Sequence, residues 1–367
     1  MSEKAQPPQV SVLGDSPSAA PDREGATVSQ VRTVHSTSFP PLLRHLGICL
    51  LVSTYQAGKL LIVRPDGDIL NVLCRDFVSP MGLVERQGVL MIGTRYHVCE
   101  YVNHPDVVPT LTPPGRHDAC YLPRMAQVTG NIEIHEMARA GPELWIVNTR
   151  FSCLCTLDGE HSFVPRWRPP FVTALVAEDR CHLNGLGVRA NQVRYVTCLG
   201  QTDTPAGWRA NKARGGCLLD VASGMVLAQG LSMPHSPRWH QGRLWVLESG
   251  DGSLAVVDER TGRWEAFTRM PGFTRGLDFF GGIAFIGLSQ VRESAVFSGI
   301  PITQRPEERV CGVWAVDLAT GQTLAFLRFE GGVQEIFALQ VLPGNCFPEL
   351  ITDDAAVIGN SFLVPRS

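Results

Sequence analysis

One short phrase recurs six times along this chain: an apolar run closed by a small polar residue. The copies are CLLVST, LMIGTR, LWIVNT, RYVTCLG, LWVLES and AFIGLS. Each is too short for a buried helix and rich in β-branched or aromatic residues, so each reads as a buried strand. A second phrase runs from a strand into an acidic residue, a turn and a glycine, as in CLLDVASGM, LAVVDERTGR and VWAVDLATGQ. Asp220, Asp258 and Asp317 can close Asx-type turns there, with Gly224, Gly262 and Gly321 at positive φ. A third phrase precedes the first. Its leading residues are Met81, His135, Asn184, His235, Arg275 and Gln334. A spacing of roughly 50 residues with four short strands per unit describes propeller blades.

The chain enters this pattern on a second-strand phrase (48–54) and leaves it on an isolated first-strand phrase, VQEIFALQVLP. The fold expected is therefore all-β: a six-bladed β-propeller whose blade 1 is closed by strands from both termini. Residues 333–342 form the inner strand of that blade and 48–77 its outer strands. Closure of this kind removes open sheet edges. Residues 1–35 are polar, rich in Pro, Ser and Ala, and lack the apolar stretch of a signal peptide. They read as a disordered tail. The propeller then spans 36–345, and 346–367 is a C-terminal extension. The best short helix is VTALVAED, 172–179.

Composition narrows the class. A net charge of −3 gives no general pull toward nucleic acid or anionic lipid. No window approaches the apolar length of a membrane span. The eleven cysteines are odd in number, several lie in apolar runs, and no CxxC pair occurs. A reducing, cytoplasmic setting follows. Phosphate-loop, dinucleotide, nucleophile-elbow and zinc-ribbon signatures are absent from the sequence.

In a propeller the start of each inner strand and the end of the next strand share one mouth. His135, His182 and His235 lie on successive blades and can meet there. They are candidate catalytic residues and, with an open fourth position, candidate ligands for a divalent metal, Zn or Fe rather than Ca. Glu136 or Glu248 could add charge, and Glu248 is also a candidate catalytic carboxylate. Arg275 stands where the other blades carry Met, His, Asn, His or Gln. A guanidinium in a narrow channel needs anionic partners. Glu335, Glu136 or Glu248 could supply them, or a ligand's carboxylate or phosphate could. Asn148, Arg150, Asn184, Gln290, Arg292, Gln334 and Glu335 complete the expected ligand-binding set.

The insertions 104–132, 166–181, 200–215 and 290–309 are all placed on the mouth side, where binding loops usually gather. Trp167 and Trp208 within them are either stacking platforms or loop packing. Trp145, Trp245 and Trp314 read as core. His97, His104, His117, His161 and His240 read as surface or loop residues.

At STYQAGKL, NTRFSCL, HLNGLG, MPHSPRWH, RLWVLESG, FTRGLDF, GLSQVRES and EGGVQEIF the chain resembles a bacterial family known as a conserved domain of unknown function. The resemblance spans about 38–345 and implies one folded unit, with no activity attached. More distantly, the architecture is similar to six-bladed lactonases of the gluconolactonase and paraoxonase type. Those hold a divalent cation in the hub with Glu, Asn and Asp; the His, Asn, Arg and Gln here depart from that pattern. Two functional expectations result. One is an enzyme acting on a small polar or anionic substrate at the channel mouth, in its strongest form with a His-held metal. The alternative is a non-catalytic propeller that binds a peptide or protein through its mouth loops.

Overall fold

In the computed structural model, which describes residues 31–291 and 298–364, six antiparallel sheets form a ring, a six-bladed β-propeller. Blade 1 is built from Ala338–Pro343, Ile48–Thr54, Lys59–Asp66 and Ile69–Asp76, inner to outer. Blade 2 follows with Leu83–Arg86, Val89–Gly93, His97–Asn103 and Ala119–Val128, and blade 3 with Ile134–Ala140, Glu143–Asn148, Cys153–Thr156 and Val164–Trp167. Blade 4 comprises Leu183–Arg189, Gln192–Cys198, Gly216–Asp220 and Val226–Leu231; blade 5, Pro234–His240, Arg243–Glu248, Ser253–Val257 and Trp264–Arg269. Blade 6 holds Phe273–Phe280, Ile283–Ser289, Cys311–Asp317 and Thr323–Gly331.

The middles of the second strands are mostly apolar because both of their faces are covered there. Every residue of Ile48–Thr54 is buried. One core layer joins Val147 and Leu154 of blade 3 to Leu183, Val196 and Cys217 of blade 4. Burial on both faces removes the alternation that a half-exposed strand shows.

The small polar residue that ends the repeated phrase ties blades together. The Ser53 hydroxyl donates to the carbonyl of Met81 (2.5 Å), and Thr149 donates to that of Leu183 (2.5 Å). Ser289 donates to the carbonyl of Ile336 (3.1 Å) and accepts from its N–H (3.0 Å). Each hydroxyl thus reaches the start of the next blade's inner segment. At the opposite rim the Asx turns form as the sequence suggests. The carboxylates of Asp220, Asp258 and Asp317 accept from the N–H groups of Ser223 (2.7 Å), Arg260 (2.9 Å) and Ala319 (3.1 Å), and the Gly224, Gly262 and Gly321 N–H groups bond the same residues' carbonyls at 2.8–2.9 Å.

Two elements that the sequence did not suggest lie just before blade 1. Residues 1–30 of the expected tail lie outside the described residues, but Arg32–His35 forms a fifth strand on blade 6, against Thr323–Gly331. A helix missed in the sequence, Phe39–Leu46, follows. Prolines occupy its first turn, Gly47 ends it at φ 66°, and it buries Phe39 and Leu43. The segment 172–179 is not helical. No helix among the described residues is long and apolar enough to cross a membrane.

The insertion 104–132 is also corrected. It contains the outer strand of blade 2, Ala119–Val128, hidden in the sequence by Pro123 and polar neighbours. Residues 104–118 therefore join third and fourth strands and lie at the rim opposite the mouth. There they meet the C-terminal extension, whose Pro348–Leu350 pairs in parallel with Ala119–Tyr121. Phe347 lies between the guanidinium groups of Arg64 (4.0 Å) and Arg116 (4.4 Å). Glu349 pairs with Arg75, and lies 3.8 Å from Arg64 and 3.4 Å from His117. His117, expected at the surface, has only 5% of its side chain exposed.

Removing Glu349 strands two arginines in this partly dry seam. Glu349→Ala should lower the unfolding free energy by roughly 3 kcal/mol, and truncation after Asn345 by at least as much. Chemical denaturation measures both.

Candidate functional site at the hub mouth

Two residues ahead of five ring positions the backbone is left-handed: Ser79 (φ 50°), Glu133 (54°), His182 (50°), Met233 (49°) and Gly332 (79°). Four of these are not glycine, and such backbone costs of order 1 kcal/mol per residue. The turn has a consequence for the imidazoles. The Glu133 carbonyl lies 3.1 Å from His135 Nδ1, and the Met233 carbonyl 2.9 Å from His235 Nδ1. A carbonyl can only accept, so each Nδ1 carries the hydrogen. Thr149 Oγ1, 2.7 Å from His135 Nδ1, gives its own hydrogen to Leu183 and accepts here. Nε2 of both rings is then a bare lone pair.

His182 sits at the left-handed position of blade 4. Its Nδ1 meets Asp179 Oδ2 at 2.8 Å, and the same oxygen accepts from Trp208 Nε1 at 2.9 Å. The His182 ring packs edge-on against His135 (centroids 4.8 Å apart) and against Trp208 (4.4 Å). Trp208 is buried, so it positions His182 and is not a stacking platform; Trp167 packs beside the core of blades 3 and 4. Among the described residues none of the three Nε2 atoms has a hydrogen-bond partner. None is among the buried unpartnered atoms either, so all three open to solvent.

Arg275 projects into the same mouth. One of its N–H groups donates to Glu335 Oε1 (3.1 Å), and its guanidinium lies over Phe337, 3.8 Å from the ring centroid. Phe337 also packs on His135, centroids 5.0 Å apart. The next residue, Gly276, is left-handed (φ 82°), and a Cβ there would come within 2.8 Å of Leu339 N. That glycine lets blade 6 approach the inner strand of blade 1. Glu136, a possible partner of Arg275 in the sequence, pairs instead with Arg238 and accepts from Leu186 N (2.7 Å). Further in, Asp278 accepts from Gln340 Nε2 and Val341 N, both at 2.8 Å. These groups lie deeper along the inner strands and give the mouth a floor.

The electrostatics follow from this crowding. Burial, then the His182 and Arg275 charges, holds His135 well below the usual histidine range. Burial and Arg275 do the same to His235. Burial pushes Glu335 up while Arg275 pulls it down. His135 and His235 are thus neutral at pH 7. Among the described residues, no group of three or more His, Cys, Asp or Glu side chains is arranged to hold an ion.

The remaining sequence candidates fall elsewhere. Glu248 accepts from Ser232 N (2.7 Å), and the charges acting on it are Asp251 and Arg305, not the imidazoles. Asn148 is fully buried and caps its own turn through Phe151 N (3.0 Å). Asn184 spends both ends of its amide, on Pro234 O (2.9 Å) and Thr197 Oγ1 (2.7 Å), bracing blade 4 on blade 5. Arg150 bonds Asn131 O at 3.4 Å and acts on Glu133 at the rim. Gln290 meets Gln334 through the backbone (2.8 Å), and the Gln334 side chain is exposed. Arg292 lies outside the described residues. Sequence reading missed Asp179, Thr149 and Phe337. Only Asp179, three residues before His182, left a local signal.

A family match covers residues 37–351 and carries the description "Domain of unknown function (DUF4915)". The chain belongs to this family. No curated protein matches it. Among solved structures, this DUF4915 propeller is similar to a chain of a nidogen/laminin complex, with a TM-score of 0.53 and 10% identity, covering 82% of this chain and 100% of that one. It is also similar to a protein of unknown function from Bacteroides caccae, with a TM-score of 0.50 and 10% identity, covering 80% and 98%. At such identities the likeness concerns the fold alone.

Two measurements check the site. In histidine 15N spectra, His135 and His235 should appear as Nδ1–H tautomers with titration midpoints below 6.5. Signals lost in His135→Gln and His235→Gln provide the assignment. Burial also pushes the Glu248 carboxyl up, from 4.5 to about 7. An acid with a raised folded pKa is most stabilising when protonated, so this contribution fades as pH rises from 4.5 to 7 and is gone above. Glu248→Gln keeps an acceptor for Ser232 N. It should stabilise the protein at pH 8 by roughly 1–3 kcal/mol and change little at pH 4, as read from denaturation at both pH values.

Proposed function

We propose that this propeller is an enzyme that performs proton transfer on a small anionic substrate bound at the hub mouth. The observation that carries the reading is the convergence of open imidazole Nε2 atoms with one under-used guanidinium. Arg275 spends one N–H on Glu335 and keeps others for a ligand oxygen. The neutral imidazoles of His135 and His235 accept a proton through Nε2, and the Glu133 and Met233 carbonyls hold the Nδ1 hydrogen of the resulting cation. Asp179 does the same for His182. Beneath the mouth, Glu136 and Arg238 pair with each other and leave the imidazoles and Arg275 to the ligand.

The proton transfer proposed here calls for no metal. Zn or Fe found in near-stoichiometric amount in protein purified without added metal, and lost in His135→Gln, would count against that part of the proposal.

The direct test is turnover. Purified protein is incubated with a mixture of carboxylate- and phosphate-bearing metabolites, followed by mass spectrometry. Wild type should convert at least one anion, and His135→Gln and His235→Gln, with unchanged melting curves, should slow that conversion by about 100-fold or more. Conversion that survives both substitutions sinks the reading. No conversion by wild type favours the alternative, a propeller that only binds at its mouth.

A further inference from the structure

We propose that the mouth selects a hydroxylated anion: a small carboxylate or phosphate whose hydroxyl groups donate to His135 and His235 while its charged group lies on Arg275. This rests on the reading above and names its substrate class.

The argument begins with a mismatch of donors and acceptors. His135 and His235 are neutral with Nδ1–H held by a carbonyl, so their Nε2 atoms can only accept from a ligand, while Asp179 holds Nδ1 of His182. Two of the protein donors beside the imidazoles are already spent. Trp208 N–H is on Asp179, and the Thr149 hydroxyl is on the Leu183 carbonyl. The imidazole side is therefore a wall of acceptors that lacks donors, and the ligand must bring them. On the other side, Arg275 offers only donors. A single phenyl ring, Phe337, touches both His135 and Arg275. The anion and its donor groups must then sit within a few atoms of each other.

Two kinds of donor could meet that requirement, a hydroxyl or an ammonium. Electrostatics separates them. The Arg275 charge is among the causes that keep His135 and His235 unprotonated. A ligand ammonium at the same lone pairs would feel the same repulsion, whereas a hydroxyl brings a hydrogen without the charge. An aliphatic acid lacking hydroxyls would leave the open lone pairs dehydrated and unpaired, at a cost comparable to a lost hydrogen bond each.

Calorimetric or ligand-observed NMR titrations of the full chain test this with matched probes: gluconate against hexanoate and 6-aminohexanoate, and glycerol 3-phosphate against propyl phosphate. In at least one series the hydroxylated member should bind about tenfold or more tightly than its partners. His235→Phe should erase that difference. His235→Gln, which retains an acceptor, should keep part of it and guards against a Phe variant that fails to fold. The double variant Arg275→Met with Glu335→Gln, which leaves no lone buried charge, should abolish binding of every acid. Equal binding of hydroxylated and plain acids, still dependent on Arg275, overturns the hydroxyl selection while leaving the anion site in place. Tighter binding of the amino acid overturns it in favour of a zwitterion. Failure of all the acids to bind overturns both this inference and the function on which it rests.

Discussion

Ring closure is the contact on which the rest depends. Ala338–Pro343 pairs with Ile48–Thr54 in continuous antiparallel register, from Ile48 opposite Pro343 to Ser53 opposite Ala338. The partners lie at opposite ends of the chain, so their pairing restrains nearly the whole polypeptide and carries a large loop-closure entropy. Both ends then continue past the seam in opposite directions. Arg32–His35 adds to blade 6 and Pro348–Leu350 to blade 2. Each terminus therefore clasps a neighbour of the blade it helps to complete. The hub depends directly on this seam: Phe337 N donates to Ser53 O (2.8 Å), which fixes the segment carrying Glu335 and Phe337. Without closure, Arg275 has neither its carboxylate nor its ring.

The blade count, the shared blade and the Asx turns were legible because they rest on local, repeated chemistry. Other elements were harder to read where local composition points away from the structure formed. Ala119–Val128 reads as loop because Pro123 and a run of exposed residues obscure its strand character. In the C-terminal seam, Pro348 opens a three-residue strand too short to register as a pattern. The helix Phe39–Leu46 carries two prolines that suggest a turn, although a helix's first turn tolerates them well. In the site, the imidazoles and Arg275 were legible from their register in the repeat. Glu335 was legible too, as one of three carboxylates expected near Arg275, but the partners of the imidazoles were not. Thr149, the Glu133 carbonyl and the Met233 carbonyl act through backbone direction, which a sequence does not display. Asn148 and Asn184 were placed at the correct height, yet their amides turn inward to backbone groups that need partners.

The left-handed residues connect fold to chemistry. A propeller needs a turn between the outer strand of one blade and the inner strand of the next, and glycine would make it without strain. Glu133, His182 and Met233 make it instead. In blades 3 and 5 the turned carbonyl holds an imidazole in one tautomer; in blade 4 the residue at the turn is itself the imidazole. Strain of this kind persists only where surrounding structure enforces it, and its concentration around one mouth, beside open lone pairs, is the pattern of a preorganised site.

The guanidinium of Arg275 completes that logic. Buried charge is costly, and among the described residues Glu335 alone pairs with Arg275, through one N–H. A purely structural arginine in a closed hub would spend its fork on two partners, as Arg238 does on Glu136 and the Leu186 carbonyl one layer below. The two arginines thus divide the channel. The deeper one is saturated with partners. The upper one, held on Phe337 and facing imidazoles that burial and, to a lesser degree, its own charge keep neutral, retains unspent donors at the level where a solute can reach them.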